Sequence, residues 1–383
     1  MPDIRFPGFI GFWEQRKLED IANRFDNLRV PVASSLRIKG TTPYYGANGI
    51  QDYVDGFTHE GEYVLVAEDG ANDLINYPVN YVNGRIWVNN HAHVLQGKDN
   101  VVNNRYLSYA ISRVNMQSVL VGGGRAKLNA EAMMNLDLFL PSIAEQKKIG
   151  ECFSNLDNLI TLHQRELDEL KALKKCMLQK MFPKKGEKVP EIRFPGFTGS
   201  WEQRKLGELG EISTGSTPST ANSAYYSDDG MPWVTPTDIN ALTISDTPRK
   251  LSEEGAKVGR VVPANTILCT CIASIGKNTL ITVKGSFNQQ INSLTPYDEN
   301  DAYFLLTESE IWSNTMKRMA ASGTMQIVNK AEFSELKTKV PSLAEQQQIG
   351  TYFKNLNNLI TLQERKCKVL QKLKKCMLQK MFV

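Results

Sequence analysis

The 383-residue chain has no apolar run near the ~18 residues that a membrane span requires, which argues against an integral membrane protein. Its opening, MPDIRFPGFIGFWEQRKLEDI, has no apolar core of the signal-peptide kind, so a cytoplasmic protein is expected. Cysteine is sparse. Cys152, Cys176, Cys269, Cys271, Cys367 and Cys376 contain no CxxC pair, which favours reduced structural thiols over disulfides or zinc ligands. The four histidines include no nucleophile motif. No GxxxxGK[ST] loop exists, because Ile275-Gly276-Lys277 lacks the upstream glycine. Gly122-Gly123-Gly124 is followed by Arg-Ala-Lys, not by dinucleotide-loop spacing. There is no Pro-Pro pair, so the [ND]PP[YF] catalytic motif of amino-methyltransferases is absent.

What is present is a duplication. LKKCMLQKMF occurs at Leu173–Phe182 and again, verbatim, at Leu373–Phe382. It ends a longer ungapped match, 141–182 against 341–382, with 27 identities in 42 positions, too many for chance. A second match opens each half: IRFPGFIGFWEQRKL (4–18) against IRFPGFTGSWEQRKL (192–206). The repeat of about 190 residues far exceeds a solenoid unit, so it is a duplicated domain. Between the matching blocks lie unlike regions, roughly 23–140 and 211–340. The shared traces there are Gly40-Thr41-Thr42-Pro43 before Tyr44-Tyr45, and Gly215-Ser216-Thr217-Pro218 before Tyr225-Tyr226.

The second repeated block predicts a helix of about 40 residues. Ser142-x-x-Glu145 and Ser342-x-x-Glu345 read as capping boxes, and Pro183 as the stop. Apolar residues recur at spacings of three and four: Leu156, Leu167, Leu170, Leu173 and Met177, then Leu356, Leu370, Leu373 and Met377. Such a stripe suits pairing with its own copy, antiparallel about a pseudo-two-fold axis. His163/Gln363 and Lys174/Lys374 interrupt the heptad, and Gly150 and Gly350 suggest a bend. The expected fold class is α+β: two globular α/β domains separated by two long antiparallel coiled-coil-like helices. The boundaries read as a first domain 1–140, a helix 141–183, a Pro/Lys/Gly linker 184–191, a second domain 192–340 and a helix 341–383. Within the unlike regions, EYVLVAE, GRIWVNNHAHVLQ, GRVVPANTILCTCIA and NTLITVKGSFNQQINSL read as strands; NRYLSYAISRVNMQSVL and AYFLLTESEIWSNTMKRMA read as helices.

A net charge of +4 is only mildly basic, but 363–383 carries seven Lys/Arg against Glu364 alone. That is either a solvated helix face or a surface for phosphates or an acidic partner. The polar loops hold residue types that read base edges by bidentate hydrogen bonds. Candidates in the first region are Tyr44, Tyr45, Asn48, Arg85, Asn89, Asn90, His91, His93, Arg125 and Lys127. In the second they are Thr217, Tyr225, Tyr226, Thr235, Thr237, Lys277, Asn288, Gln289, Gln290 and Arg318. The same types also fill ordinary turns. His91-x-His93 would share one strand face but lacks a third ligand, so no metal is expected.

The paired FPGF…W-x-QRKL openers, the G-[ST]-T-P segments and the PS[IL]AEQxxIG…LKKCMLQKMF helices together resemble the specificity subunit of type I restriction–modification systems, over essentially the whole chain. The resemblance implies that each unlike region is a target-recognition domain for one half of a bipartite site in double-stranded DNA, with the helices setting the spacer. It implies no catalytic residue and no cofactor on this chain. Two methyltransferase subunits would carry S-adenosylmethionine, and motor-nuclease subunits ATP and Mg. A stand-alone DNA-modifying enzyme, or a helical two-domain adaptor that never reads DNA, are the alternatives.

Overall fold

The computed structural model describes residues 2–122, 126–322 and 327–382. The chain divides into two compact units, Met1–Arg165 with Glu364–Val383, and Glu166–Gln363. These borders differ from the sequence-based ones because they fall inside the two long helices, Ile143–Lys180 and Leu343–Met381. Each helix starts in one unit and contributes its end to the core of the other.

In the first unit a six-stranded sheet runs in the order Ala22–Arg24, Ala92–Gly97, His59–Ala67, Val79–Val88, Lys39–Gly46, Gly49–Val54. The expected strand GRIWVNNHAHVLQ is two strands broken by a turn at 89–91. The expected helix over 104–120 stops at Ser112 and resumes only as a 3-10 turn, Met116–Ser118. The second unit has a five-stranded sheet, Gly210–Thr214, Ile291–Pro296, Thr266–Thr270, Asn278–Ile281, Thr243–Ile244. A four-stranded sheet, Lys250–Leu251, Tyr226–Val234, Gly285–Phe287, Val261–Val262, accompanies it. The helix Ala302–Ser322 packs on the strands Thr266–Thr270 and Asn278–Ile281.

The repeated blocks form one local structure twice. Arg5 forks onto Glu145 at 2.8 and 2.6 Å, and Arg193 onto Glu345 at 2.7 Å twice, with both carboxylates buried. The two glutamates therefore answer the arginine of the FPGF opener and do not close capping boxes; Ser142 alone serves the Glu145 N–H. Gln146 and Gln346 are also buried, and their side-chain oxygens accept from the N–H of Asn103 and Asp301, each at 2.9 Å. Neither helix breaks at its glycine. A Cβ on Gly150 would sit 3.0 Å from Asn103 Oδ1, and one on Gly350 2.3 Å from Asp301 Oδ1. The glycines permit that approach.

The tip of the repeated ten-mer is a plug. Phe382 stacks on Tyr106 (5.5 Å between centroids, 22°) and meets Trp13 and Phe153. Phe182 stacks on Phe304 (5.7 Å, 22°) and meets Trp201 and Phe353. Backbone bonds pin both tips: Ile4 N–H to Lys380 O at 2.9 Å, and Ile192 N–H to Lys180 O at 2.8 Å. The helical segments run antiparallel within each unit. In the first, Phe153 faces Phe382 and Asp157 faces Lys374; in the second, Phe353 faces Phe182 and Gln363 donates to Glu166 at 2.6 Å.

Of the stripe residues, Leu156, Leu167 and Leu356 are buried, and Leu170, Leu370, Met177 and Met377 half-buried. Leu173 and Leu373, expected on the seam, are exposed at 41% and 46%. Lys174 and Lys374 take the inward positions beside them, paired with Glu310 at 2.7 Å and with Asp157. Lys374 also lies over the Tyr109 ring at 5.5 Å. The two lysines that interrupt the heptad are thus paired charges with half-buried stems.

Glu308 is fully enclosed in the second unit. Thr338 donates to it, while its Oε2 has no hydrogen-bond partner among the described residues. Burial pushes this carboxyl from its ordinary 4.5 up to about 8.

Two predictions follow from these cores. Phe382→Ala and Phe182→Ala should each cost about 3 kcal/mol in denaturant unfolding, because each empties an equivalent aromatic socket. An unchanged midpoint would remove the plug. Glu308 keeps its proton in the folded state over a window, about 4.5 to about 8, where the unfolded chain has lost it. Stability should therefore fall as pH rises through that window, and Glu308→Gln should flatten the dependence; urea midpoints at pH 5 and 8 check this.

Candidate nucleic-acid interface

Each unit contains a parallel strand pair whose ends open side by side. In the first, Tyr44 pairs with Trp87 and Tyr45 with Val88. In the second, Trp233 pairs with Ser286 and Val234 with Phe287. The next residue is an asparagine in both. Asn89 N–H donates to Tyr45 O at 3.1 Å, and Asn288 N–H to Val234 O at 3.0 Å. Their side-chain oxygens accept from the N–H two residues on, His91 at 2.8 Å and Gln290 at 3.0 Å. This is an Asx turn with a buried asparagine as pedestal. It leaves Asn90 and Gln289 exposed at the tips.

The predicted residues sort by this geometry. In the first unit the segment Glu68–Asn72 gathers three of them. Asn48 donates to Gly70 O at 2.9 Å and accepts from Asn72 N–H at 2.9 Å. His91 binds Asp69, and Lys127 binds Glu68 at 2.9 Å. Arg85 stands apart, exposed and paired with Glu60 at 3.1 Å across neighbouring strands. Arg125 lies outside the described residues. Tyr45 is half-buried, and burial pushes its hydroxyl above the usual value.

Tyr44, Asn89, His93 and Asn288 are buried and have no edge to offer a base. Tyr44 donates to Val32 O and accepts from Val32 N–H, while Arg37 lies 4.1 Å over its ring. His93 faces Asp26 at 2.7 Å and Leu128 O at 2.9 Å. Burial would raise Asp26, but hydrogen bonds from His93 and the Val94 N–H, with Arg29 nearby, hold it below its ordinary value. The same competition lowers Glu68, through Arg29 and Lys127. His91 and His93 thus belong to carboxylates, and the described residues contain no group of three metal-ligating side chains.

In the second unit Thr217 bonds Gln289, and Thr235 donates through its N–H and hydroxyl to Asp238 at 2.8 and 2.6 Å. Thr237 is exposed beside Thr235, 2.8 Å between hydroxyls. Gln290 O accepts from Cys271 N–H at 2.8 Å, which brings the turn bearing exposed Lys277 alongside. Tyr226 donates to Pro218 O at 2.7 Å and carries Arg249 over its ring at 4.8 Å. Tyr225 is half-buried, with its carbonyl over Gly255; Arg318 is exposed and anchored to Asn314 O at 3.2 Å. Cys269 and Cys271 are core, and burial pushes the Cys269 thiol well up.

The two glycine-led segments are not equivalent. Gly40–Pro43 lies in the strand Lys39–Gly46, and Gly40 is pressed against Val54 O of the edge strand. Gly215–Pro218 is a loop after Gly210–Thr214, and a Cβ on Gly215 would lie 2.1 Å from Asn288 O. Both need glycine, for different contacts. Arg249, over the Tyr226 ring, and Lys317, beside Gly276, stand next to predicted residues but were not singled out, because a tyrosine partner and a helical cation carry no local pattern.

Each unit thus presents an exposed amide side chain, Asn90 or Gln289, on a turn held by a buried asparagine. The comparisons with known proteins identify the family. Residues 11–172 and 199–372 each match the type I restriction modification DNA specificity domain. A Haemophilus influenzae chain named as a type I restriction enzyme specificity subunit is 30% identical over 91% of this chain and 89% of its own length. The MjaIX specificity subunit of Methanocaldococcus jannaschii is 30% identical over 45% of this chain and 41% of its own. The crystal structure of the type I restriction-modification S subunit from M. genitalium shares the fold, with a TM-score of 0.75 and 14% identity over 100% of this chain and 99% of that one. The chain belongs to the specificity-subunit family of type I restriction–modification systems. No helix among the described residues is long and apolar enough to cross a membrane.

The pedestal reading predicts that Asn89→Ala and Asn288→Ala each lose about 1–2 kcal/mol, by leaving a turn N–H without its acceptor. Asn288→Asp, which keeps the oxygen, should recover most of it in the same thermal unfolding assay.

Proposed function

We propose that this chain directs a type I restriction–modification assembly to a split DNA target and performs no chemistry itself. The observation that carries the reading is one frame built twice around two unlike reader ends. The Arg5–Glu145 and Arg193–Glu345 forks, the glutamine braces and the phenylalanine plugs repeat. The exposed tips do not: Asn90 with Asn48 in one unit, Gln289 with Thr217 and Thr237 in the other. Asn and Gln tips match adenine edges, and threonine hydroxyls serve either base pair. Each unit then reads one half-site.

The long helices act as the spacer element, one helical turn of about 5.4 Å corresponding to between one and two base pairs. S-adenosylmethionine, ATP and Mg belong to the methyltransferase and motor-nuclease partners, which act on double-stranded DNA. Replacing residues 211–340 with the matching region of another specificity subunit should change one half-site of the methylated motif and leave the other. Methylome sequencing of cells carrying the exchanged chain reads this directly. Movement of both half-sites, or methylation by the purified chain without a partner, would contradict the reading.

A further inference from the structure

We propose that Lys277 and Lys317 form a seat for a DNA backbone phosphate beside the second unit's reader turn. The inference rests on the DNA-reading assignment and adds a contact that fixes position without reading sequence. A cavity of about 420 Å³ is lined by Ala273, Ser274, Lys277 and Lys317 together with Ile275 and alanines of the helix Ala302–Ser322. No carboxylate among the described residues lines it. Both lysines are exposed, and neither has an ion-pair partner among the described residues. Most other half-buried or clustered cations of this unit are paired: Arg193 with Glu345, Lys174 with Glu310, Lys205 with Glu335 and Lys250 with Asp246.

The seat is built and not merely two surface charges. The hairpin between Thr266–Thr270 and Asn278–Ile281 is cinched by Thr270, whose hydroxyl bonds Ser274 O and accepts from Lys277 N–H at 3.0 Å. Gly276, at φ +79°, lies against the helix so closely that a Cβ would meet Lys317 Cε and Ser313 Cβ at 3.1 Å each. That contact fixes the turn bearing Lys277 against the helical turn bearing Lys317. The Cys271 N–H to Gln290 O bond (2.8 Å) then couples the hairpin to the turn whose tip is Gln289. A phosphate held between the lysines would lie next to the bases that tip can reach. Among the described residues the first unit has no such seat in the same form, because its corresponding helix ends at Ser112 after nine residues. Two ammonium groups without a competing carboxylate favour a phosphate diester, and a backbone phosphate contact sets register without sequence information.

The test is the salt dependence of duplex binding by the full chain assembled with its methyltransferase subunits, followed by fluorescence anisotropy on target DNA. Lys277→Ala and Lys317→Ala should each reduce the slope of log K against log salt by about 1, and the double variant by about 2. The methylated motif should stay the same. Lys284→Ala, an exposed lysine at the opposite end of Asn278–Ile281, should leave the slope unchanged. Lys317→Arg should restore it. Wild-type slopes in the alanine variants, or a changed motif, would overturn the seat while leaving the DNA-reading assignment standing. A wild-type assembly with no salt-dependent binding to its target would overturn both.

Discussion

The structure depends on one aromatic contact made twice: a phenylalanine at the end of a long helix closing a socket of tryptophan, a second phenylalanine and a tyrosine or phenylalanine. Phe382 closes the socket in the unit that contains Trp13, and Phe182 the one that contains Trp201. Each socket draws on residues far from its plug in sequence, Tyr106 and Phe153 for Phe382 and Phe304 and Phe353 for Phe182. Residues 364–383 therefore complete the unit that begins at Met1, while 166–182 complete the unit of 192–340. A strict ten-residue identity is the expected result. The two plugs enter near-identical surroundings, so the same side chains solve the same packing problem.

The forks and braces around each plug explain why other strings repeat. FPGF brings an arginine to a buried glutamate, AEQ brings that glutamate and a bracing glutamine, and IG brings a core isoleucine and a glycine under a capping residue. A buried arginine–glutamate fork is costly to break from one side, which ties the opener and the helix start together. With the frame fixed, the reader ends are free to differ. The reader ends share the parallel strand pair and the asparagine pedestal at its end, and that asparagine is buried in both.

Much of this was legible in the sequence. The duplication, the helices and the unlike inserts all follow from alignment and periodicity. The unit borders did not, since nothing local says that a helix end packs on aromatic partners in the other half of the chain. Glu145 carried a capping-box pattern, but Arg5 offered a stronger, desolvated partner. Leu173 and Leu373 fitted the stripe, yet Lys174 and Lys374 faced inward because Glu310 and Asp157 were there to meet them. Among the reader candidates, residue type could not separate the buried pedestal Asn89 from the exposed tip Asn90. That distinction is made by a single N–H, on His91, turning back to the asparagine oxygen.

The central claim, that each ten-mer completes a core in the other half's unit, is tested most directly by amide hydrogen exchange on a chain ending at Lys372. Protection should drop across Tyr106–Ile111, around the emptied Phe382 socket, while Phe304–Ser309, around the filled Phe182 socket, should keep the protection of the full chain. Unchanged exchange at Tyr106–Ile111 would contradict it.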